Sequence, residues 1–309
     1  MAIVFFGTPL FAVPSLEALH ESGEEIGAVV TRRDSPAGRT RKMTPPPVKE
    51  LALRYGLEVL QPGRLDEAFT SRLEETVPAP EFLVVVAYGR ILPRPVLSMP
   101  RIAPVNVHAS LLPAWRGASP IARAIINGDR ETGATTMIMD ETMDTGPVLL
   151  QEKTGISDED DTMSLSARLA AIGAGLLIKT LKGMRDGSIT PRPQEGPASY
   201  APPLRKEDGL VDWRRPASAL FDFVRGMHPW PGAYFFLKGE RIVIIKARAA
   251  DGQGPPGIVE EAKDGFLVGT GKGLLSLSIV QPEGKKPMPA ADFLHGRKVM
   301  KGDVLHGAA

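Results

Sequence analysis

Short apolar runs alternate with helical periodicity through the first half of the chain. Ile3 to Phe6 predicts a buried strand ended by Gly7, and Pro14 opens a helix with Leu16 and Leu19 on one face. Ala28 to Thr31 is a second short strand, Pro47 to Tyr55 is helical, and Leu57 to Leu60 is strand-like again. Phe82 to Tyr88 is the most continuous apolar run. Pro104 to Ala109 and Ala134 to Asp140 read as further strands, separated by a helix over Pro120 to Ile126. Strands that are apolar throughout, alternating with helices, imply an α/β fold: a Rossmann-like parallel sheet covered on both faces. Met163 to Arg185 predicts a long amphipathic helix, entered through the acidic run Asp158 to Asp161, where the helix dipole favours negative charge.

The pattern changes near residue 190. Ile189-Thr-Pro-Arg-Pro-Gln-Glu-Gly-Pro197 has three prolines and no period, which suits a semi-rigid linker. Beyond it come one helix (Ser218 to Met227) and short strand-like segments: Ala233 to Leu237, Arg241 to Ala247, Gly257 to Glu260, Phe266 to Thr270 and Leu274 to Val280. Short strands with glycine turns predict a small β-barrel or sandwich. The expected organisation is therefore a domain over 1–189, a linker over 190–206 and a smaller domain over 207–309.

Composition agrees with this and narrows the chemistry. A chain of 309 residues is long enough for two domains, and 43% apolar with 24% charged residues is ordinary for a globular protein. With no cysteine, disulfides, thiolate metal sites and cysteine nucleophiles are excluded. The start has no basic region followed by a long apolar run, and no stretch approaches the roughly 20 apolar residues that cross a bilayer. A soluble, cytoplasmic protein is expected. The net charge of +1 hides an uneven distribution. Residues 1–189 hold 20 basic against 23 acidic side chains, a net −3, while 190–206 and 207–309 are each +2. Within the acidic first part, residues 31–42 hold five cations (Arg32, Arg33, Arg39, Arg41, Lys42) against one anion (Asp34). Pro36 and Gly38 mark this as a loop, either a solvated arm or one that contacts phosphates. Lys285, Lys286, Arg297, Lys298 and Lys301 lie near the end of the second domain, as surface lysines and arginines or as part of an OB-like barrel touching a nucleic acid backbone.

The first strand ends Phe6-Gly-Thr-Pro-Leu-Phe-Ala-Val-Pro14. It lacks G-x-G-x-x-G, and prolines replace amides that would cradle phosphate, so a nicotinamide or flavin cofactor is disfavoured. The densest polar segment runs from Asn106 to Pro120. Asn106 and His108 are two apart at the end of a strand, so their side chains share a face. An amide beside an imidazole can polarise a carbonyl, the amide holding an oxyanion and the imidazole moving a proton. A carboxylate supporting the imidazole would come from Met139-Asp-Glu-Thr-Met-Asp144-Thr-Gly-Pro147, where spacing leaves Asp140, Glu141 and Asp144 equally open. The remaining histidines form no metal-binding pair.

Asn106-x-His108-x-Ser110-Leu-Leu-Pro113-x-x-Arg116-Gly117-x-x-Pro120, followed by Asp144-x-Gly146, resembles the signature of formyltransferases that use 10-formyltetrahydrofolate. Phe6-Gly-Thr-Pro-x-Phe-Ala-Val-Pro-Ser15, Pro36-Ala-Gly-Arg-x-Arg-Lys42, Val86-Ala-Tyr-Gly-x-Ile-Leu-Pro93, His228-Pro-Trp-Pro-Gly-Ala233 and Gly302-Asp-Val-Leu305 extend the likeness over nearly the whole chain, to members whose acceptor is methionyl-initiator tRNA. The resemblance implies a catalytic Asn106, His108 and Asp144. It implies a folate site at Ser110, Leu111, Leu112 and Pro113 together with Val86, Ala87, Tyr88, Gly89, Ile91 and Leu92. It implies tRNA contacts from Arg39, Arg41 and Lys42, and a C-terminal OB-like barrel that helps hold tRNA. No metal and no membrane are implied, and a monomer is expected. The chain departs from many such enzymes at Arg33, where they carry Pro, and at His228, where they carry Asn. Relatives that formylate small amines share the Asn–His–Asp core, and the arginine-rich loop is what separates the two readings.

Overall fold

The computed structural model describes residues 2–37, 42–263 and 265–308. The chain divides into two compact units. The first comprises Met1–Pro120, Glu131–Gly155 and Ser166–Ala201; the second comprises Ile121–Arg130, Ile156–Leu165 and Pro202–Ala309.

In chain order the first part of the sequence forms β1 (Ile3–Gly7), α1 (Val13–Glu21), β2 (Ile26–Val30), β3 (Ser35–Ala37), β4 (Lys42–Thr44), α2 (Pro47–Arg54), β5 (Val59–Leu60), α3 (Glu67–Thr76) and β6 (Phe82–Val86). There follow α4 (Arg94–Leu97), β7 (Ala103–His108), α5 (Pro120–Asn127), β8 (Glu131–Ile138), β9 (Val148–Gly155) and α6 (Thr162–Asp186). Seven strands make one sheet in the order β5-β2-β1-β6-β7-β8-β9. The first five are parallel, whereas β7 with β8 and β8 with β9 pair antiparallel. The sheet is thus mixed rather than parallel throughout. The nine residues between β8 and β9 are too few for a parallel crossover, so β9 returns alongside β8.

The period of two sorts the parallel strands onto two cores. Ile3, Phe5, Val84, Val86, Val105 and Val107 face one side, packed with Leu16 and Leu19 of α1, Val48 and Leu51 of α2, and Leu177 and Leu181 of α6. Val4, Phe6, Leu83 and Val85 face the other, packed with Phe69 and Leu73 of α3 and Val96 and Leu97 of α4. Because Val105 and Val107 occupy the first core, Asn106 and His108 must point to the opposite face. Helix α6 comes close beneath β7 because Gly173 is small: a Cβ there would lie 2.7 Å from Val107 Cγ1. By length and composition α6 is apolar enough to cross a bilayer, contrary to the sequence expectation, but half of its apolar window is buried inside the protein.

Near the end of α6, Arg185 binds two carboxylates. It donates to Glu24 at 2.6 Å through each of two nitrogens and to Glu81 at 3.0 and 2.8 Å. Hydrogen bonds from Arg185 to Glu24 and Glu81 raise its pKa above the ordinary guanidinium value. Glu81 is only 8% exposed. Arg185→Ala strands that carboxylate and is expected to cost about 2–3 kcal/mol, below the fully buried case because the guanidinium is partly solvated. A lower urea midpoint at an unchanged m-value would show this.

The second unit holds α7 (Ala217–Met227), β10 (Ala233–Leu237), β11 (Glu240–Ala250), β12 (Val259–Glu261), β13 (Leu267–Gly269), β14 (Leu274–Pro282), β15 (Met288–Pro289) and α8 (Ala290–Arg297). Its antiparallel sheet runs β10-β11-β14-β13-β12, with β15 beside β14, around Trp213, Phe235, Phe266 and Phe293. Val304 bridges Ile258 next to β12 and His306 bridges Phe236 on β10, so the C-terminal segment ties the two outer strands together. This is the small barrel-like domain that the strand pattern predicts. Within its basic C-terminal group, Arg297 is paired with Glu240 and Lys301 with Glu260.

Candidate active site

Parallel strands end together at one edge of the first unit, and the polar residues gather there. Asn106 and His108, at the end of β7, are 9% and 6% exposed. His108 is gripped on both sides. Nε2 lies 3.0 Å from the Trp115 carbonyl, and Nδ1 lies 3.6 Å from Asp144 Oδ2. A carbonyl only accepts, so Nε2 carries the proton. Were the ring to gain a second proton, it would be held at Nδ1, facing the Asp144 carboxylate.

Of the three carboxylates that spacing left open, Asp144 is the one that reaches His108. Its Oδ2 also accepts a hydrogen bond from the Gly117 amide at 2.8 Å, and its backbone is left-handed at φ 55°, a region that Asp tolerates better than most residues. Asp140 is turned into its own loop, where its carboxylate accepts from the Thr142 amide and from the hydroxyls of Thr142 and Thr145. Burial pushes Asp140 up, but the bonds from Thr142 and Thr145 outweigh it and hold the carboxyl below its ordinary value. Glu141 pairs with Arg94 at 3.5 Å.

The Ser110–Gly117 loop is built to hold this geometry. Ser110, fully buried, donates to the Ala114 carbonyl at 2.5 Å and accepts at its own carbonyl from Thr135 at 2.6 Å. Gln151 donates to the Leu112 carbonyl at 2.9 Å and to Thr135 at 3.0 Å. Gly117 has φ 119°, and a Cβ there would lie 2.8 Å from the Ala201 carbonyl oxygen. At Gly146 a Cβ would run into the Ile138 carbonyl. Neither position admits a side chain.

The segment that the sequence reads as a linker joins the site. Arg116 donates from its amide to the Ser199 carbonyl and accepts at its carbonyl from the Ala201 amide; the Trp115 amide donates to Ser199 Oγ. Gln194 bonds both Arg116 and the backbone around Asp144. Gln194, Ser199, Thr135 and Gln151 were invisible to motif reading, because a polar residue in a proline-rich stretch or on a strand carries no local signal of a partner far along the chain.

The residues read as a folate site divide by exposure. Val86, Leu92 and Leu112 are buried in apolar clusters, and the Ser110 hydroxyl is occupied within its loop. Tyr88 is buried edge-on against Phe6 at 5.3 Å. Burial pushes its phenol above the ordinary value, partly offset by the charges of Arg90 and Arg32. Ala87 (φ 47°), Gly89 (φ 76°) and Ile91 lie on the surface, Ile91 being 73% exposed, and Leu111 and Pro113 are half-buried. Among the described residues no three His, Asp or Glu side chains are grouped to hold a metal ion.

In the basic arm, Arg39 and Arg41 lie outside the described residues. Lys42 is exposed on β4, paired through Ala37 with β3. Asp34 anchors the base of the arm, accepting from Lys49 at 2.8 Å and from Gln61 at 2.8 Å. Hydrogen bonds from Lys49 and Gln61 hold the Asp34 carboxyl below its ordinary value.

Residues 1–181 match the formyl transferase family, and residues 203–298 match the formyl transferase C-terminal domain. The methionyl-tRNA formyltransferase of Thermodesulfovibrio yellowstonii is 50% identical over 301 residues, 97% of each chain. That of Pelobacter propionicus is 49% identical over 311 residues, covering 100% of this chain and 97% of the relative. Among solved structures, the N-formyltransferase of Helicobacter canadensis, in complex with folinic acid and dTDP-3-aminofucose, shares the fold: TM-score 0.68 at 18% identity, over 89% of this chain and 97% of that one.

Proposed function

Because the chain belongs to the formyl transferase family, we propose that it transfers the formyl group of 10-formyltetrahydrofolate to the α-amino group of methionyl-initiator tRNA, for translation initiation. The observation that carries this reading is the meeting of His108 and Asp144 beside Asn106, in a chain that matches methionyl-tRNA formyltransferases from end to end. Residues 1–189, with the segment up to Ala201 bound to them, carry the chemistry, and 207–309 help hold the tRNA. The protein works in the cytoplasm as a monomer.

The chemistry follows from the residues. The acceptor amine, arriving unprotonated, forms a bond to the formyl carbon. The formyl oxygen takes up negative charge, and the Asn106 amide donates to it. The bond from carbon to N10 then breaks, the amine loses a proton and N10 gains one, leaving formylmethionyl-tRNA and tetrahydrofolate. His108 takes part as the proton carrier. Asp144 holds its Nδ1, and its Nε2–H turns from the Trp115 carbonyl to the reacting nitrogens when the proton is passed. The donor is a co-substrate and no metal enters. The exposed surfaces of Ala87, Gly89, Ile91, Leu111 and Pro113 are the parts of the folate site free to meet the donor's rings. Ser110, Val86, Tyr88, Leu92 and Leu112 shape it from behind.

Formyl transfer to a small amine, such as an amino-sugar nucleotide, is the competing reading, because the catalytic trio serves it equally well. Offering charged tRNA and an amino-sugar nucleotide in parallel decides between them. Arg41→Ala and Lys42→Ala are expected to weaken methionyl-tRNA use and to flatten its salt dependence, by about one in log–log slope for each phosphate that is no longer neutralised. Unchanged tRNA kinetics in both variants would leave the arm a solvated loop and favour the small acceptor.

A further inference from the structure

We propose that Gln194 is a positioning residue for Asp144, and that residues 192–201 are a working part of the active site. The side-chain carboxamide of Gln194 uses its full hydrogen-bonding capacity. Its Nε2 donates to two carbonyls, those of Asp144 and Gly146, each at 2.8 Å. Its Oε1 accepts from Arg116 Nε at 3.1 Å and Nη2 at 2.7 Å. Two donors and two acceptors are thus met at once, which fixes which way the amide faces.

The two loops joined this way are the two that hold His108. One carries Asp144, against Nδ1. The other carries Trp115, whose carbonyl meets Nε2, and Gly117, whose amide binds the Asp144 carboxylate. Both are stitched further to the same strap. Arg192 exchanges backbone hydrogen bonds with Val148 at 2.8 Å each, just past the Asp144 loop. Ser199 and Ala201 bond the backbone of Arg116 at 2.9 and 2.7 Å. Between these anchors, Gln194 is the side chain that spans the gap. Asp144 itself sits in a left-handed conformation on a short turn, where the backbone has alternatives unless something holds it. Gln194 is half-buried in an irregular segment, between the exposed Pro193 and Glu195, so it adds little to any core.

This inference rests on the proposed role of Asp144. Removing Gln194 leaves every substrate-facing group in place and loosens the carboxylate relative to His108. A displacement of about 1 Å costs up to a hundredfold. Gln194→Ala is expected to lower kcat between about tenfold and a hundredfold while the KM for 10-formyltetrahydrofolate changes less than about threefold. Gln194→Glu keeps the acceptor for Arg116 but sets a carboxylate against two carbonyls, so it should lose as much as the alanine variant. In an Asp144→Asn background, Gln194→Ala should cost less than about a further twofold, since two residues acting through one group do not add.

Three results would overturn the proposal: parental kcat in Gln194→Ala, parental kcat in Gln194→Glu, or an equal fold-loss in the parent and Asp144→Asn backgrounds. Should the alanine variant fail to fold, the glutamate variant carries the same comparison. An inactive Asp144→Asn with a fully active Gln194→Ala would sink this inference alone. A fully active Asp144→Asn would sink the catalytic reading with it.

Discussion

Replacing His108 with alanine is expected to lower kcat for formyl transfer by about 10² to 10⁴, the range for losing a positioned proton carrier. The loss should fall on kcat, because the imidazole is held by the protein, between the Trp115 carbonyl and Asp144, rather than by binding contacts along the folate. The fold should survive. The substitution removes the His108 bond to the Trp115 carbonyl, a cost of about 1–3 kcal/mol, while Asp144 keeps the Gly117 amide. His108→Gln sharpens the test: its side-chain amide can still donate to Trp115 but cannot carry a proton. If glutamine restores turnover, His108 is a spacer and the proton passes elsewhere.

Asn106→Ala is expected to cost about 10²–10³ in kcat, or roughly 2.7–4 kcal/mol of barrier, the usual loss of one oxyanion donor. Asn106→Asp should do at least as badly, since it puts a negative charge where one develops. The backbone at this position is clamped between two strands, Val85 on one side and Met137 on the other, so the strand register should hold in either variant. An aspartate variant with near-parental kcat would remove Asn106 from the chemistry. Measured together, the two positions separate stabilisation of the oxygen from handling of the proton.

What the sequence revealed, and what it withheld, follows from the range of the interactions. The β6 run and the Asn106–His108 pair were legible because period-two alternation is local: two residues apart on a strand means one face. The sheet direction at β8 and β9 was not. A buried strand reads the same whether its neighbour runs with it or against it. Strand β9 itself has apolar residues only at its start, and α3 buries just Phe69 and Leu73 among polar neighbours, so both escaped the pattern. The choice of Asp144 over Asp140 and Glu141 could not come from spacing, since loops have no period. It came from the Gly117 amide and from the Asp140 carboxylate being occupied by Thr142 and Thr145. Gln194 was hidden most completely. Its partner Arg116 is 78 positions away, and the prolines around it signal only an extended chain. The resemblance named the trio but gave no hint of what holds it together.

The central claim is most directly tested by incubating the purified protein with 10-formyltetrahydrofolate and charged initiator tRNA, with elongator methionyl-tRNA as the control, and measuring formylmethionyl-tRNA formed. The expected result is rapid formylation of the initiator and little of the elongator. No formylation of charged initiator tRNA, from a preparation that formylates an amino-sugar nucleotide instead, would contradict it.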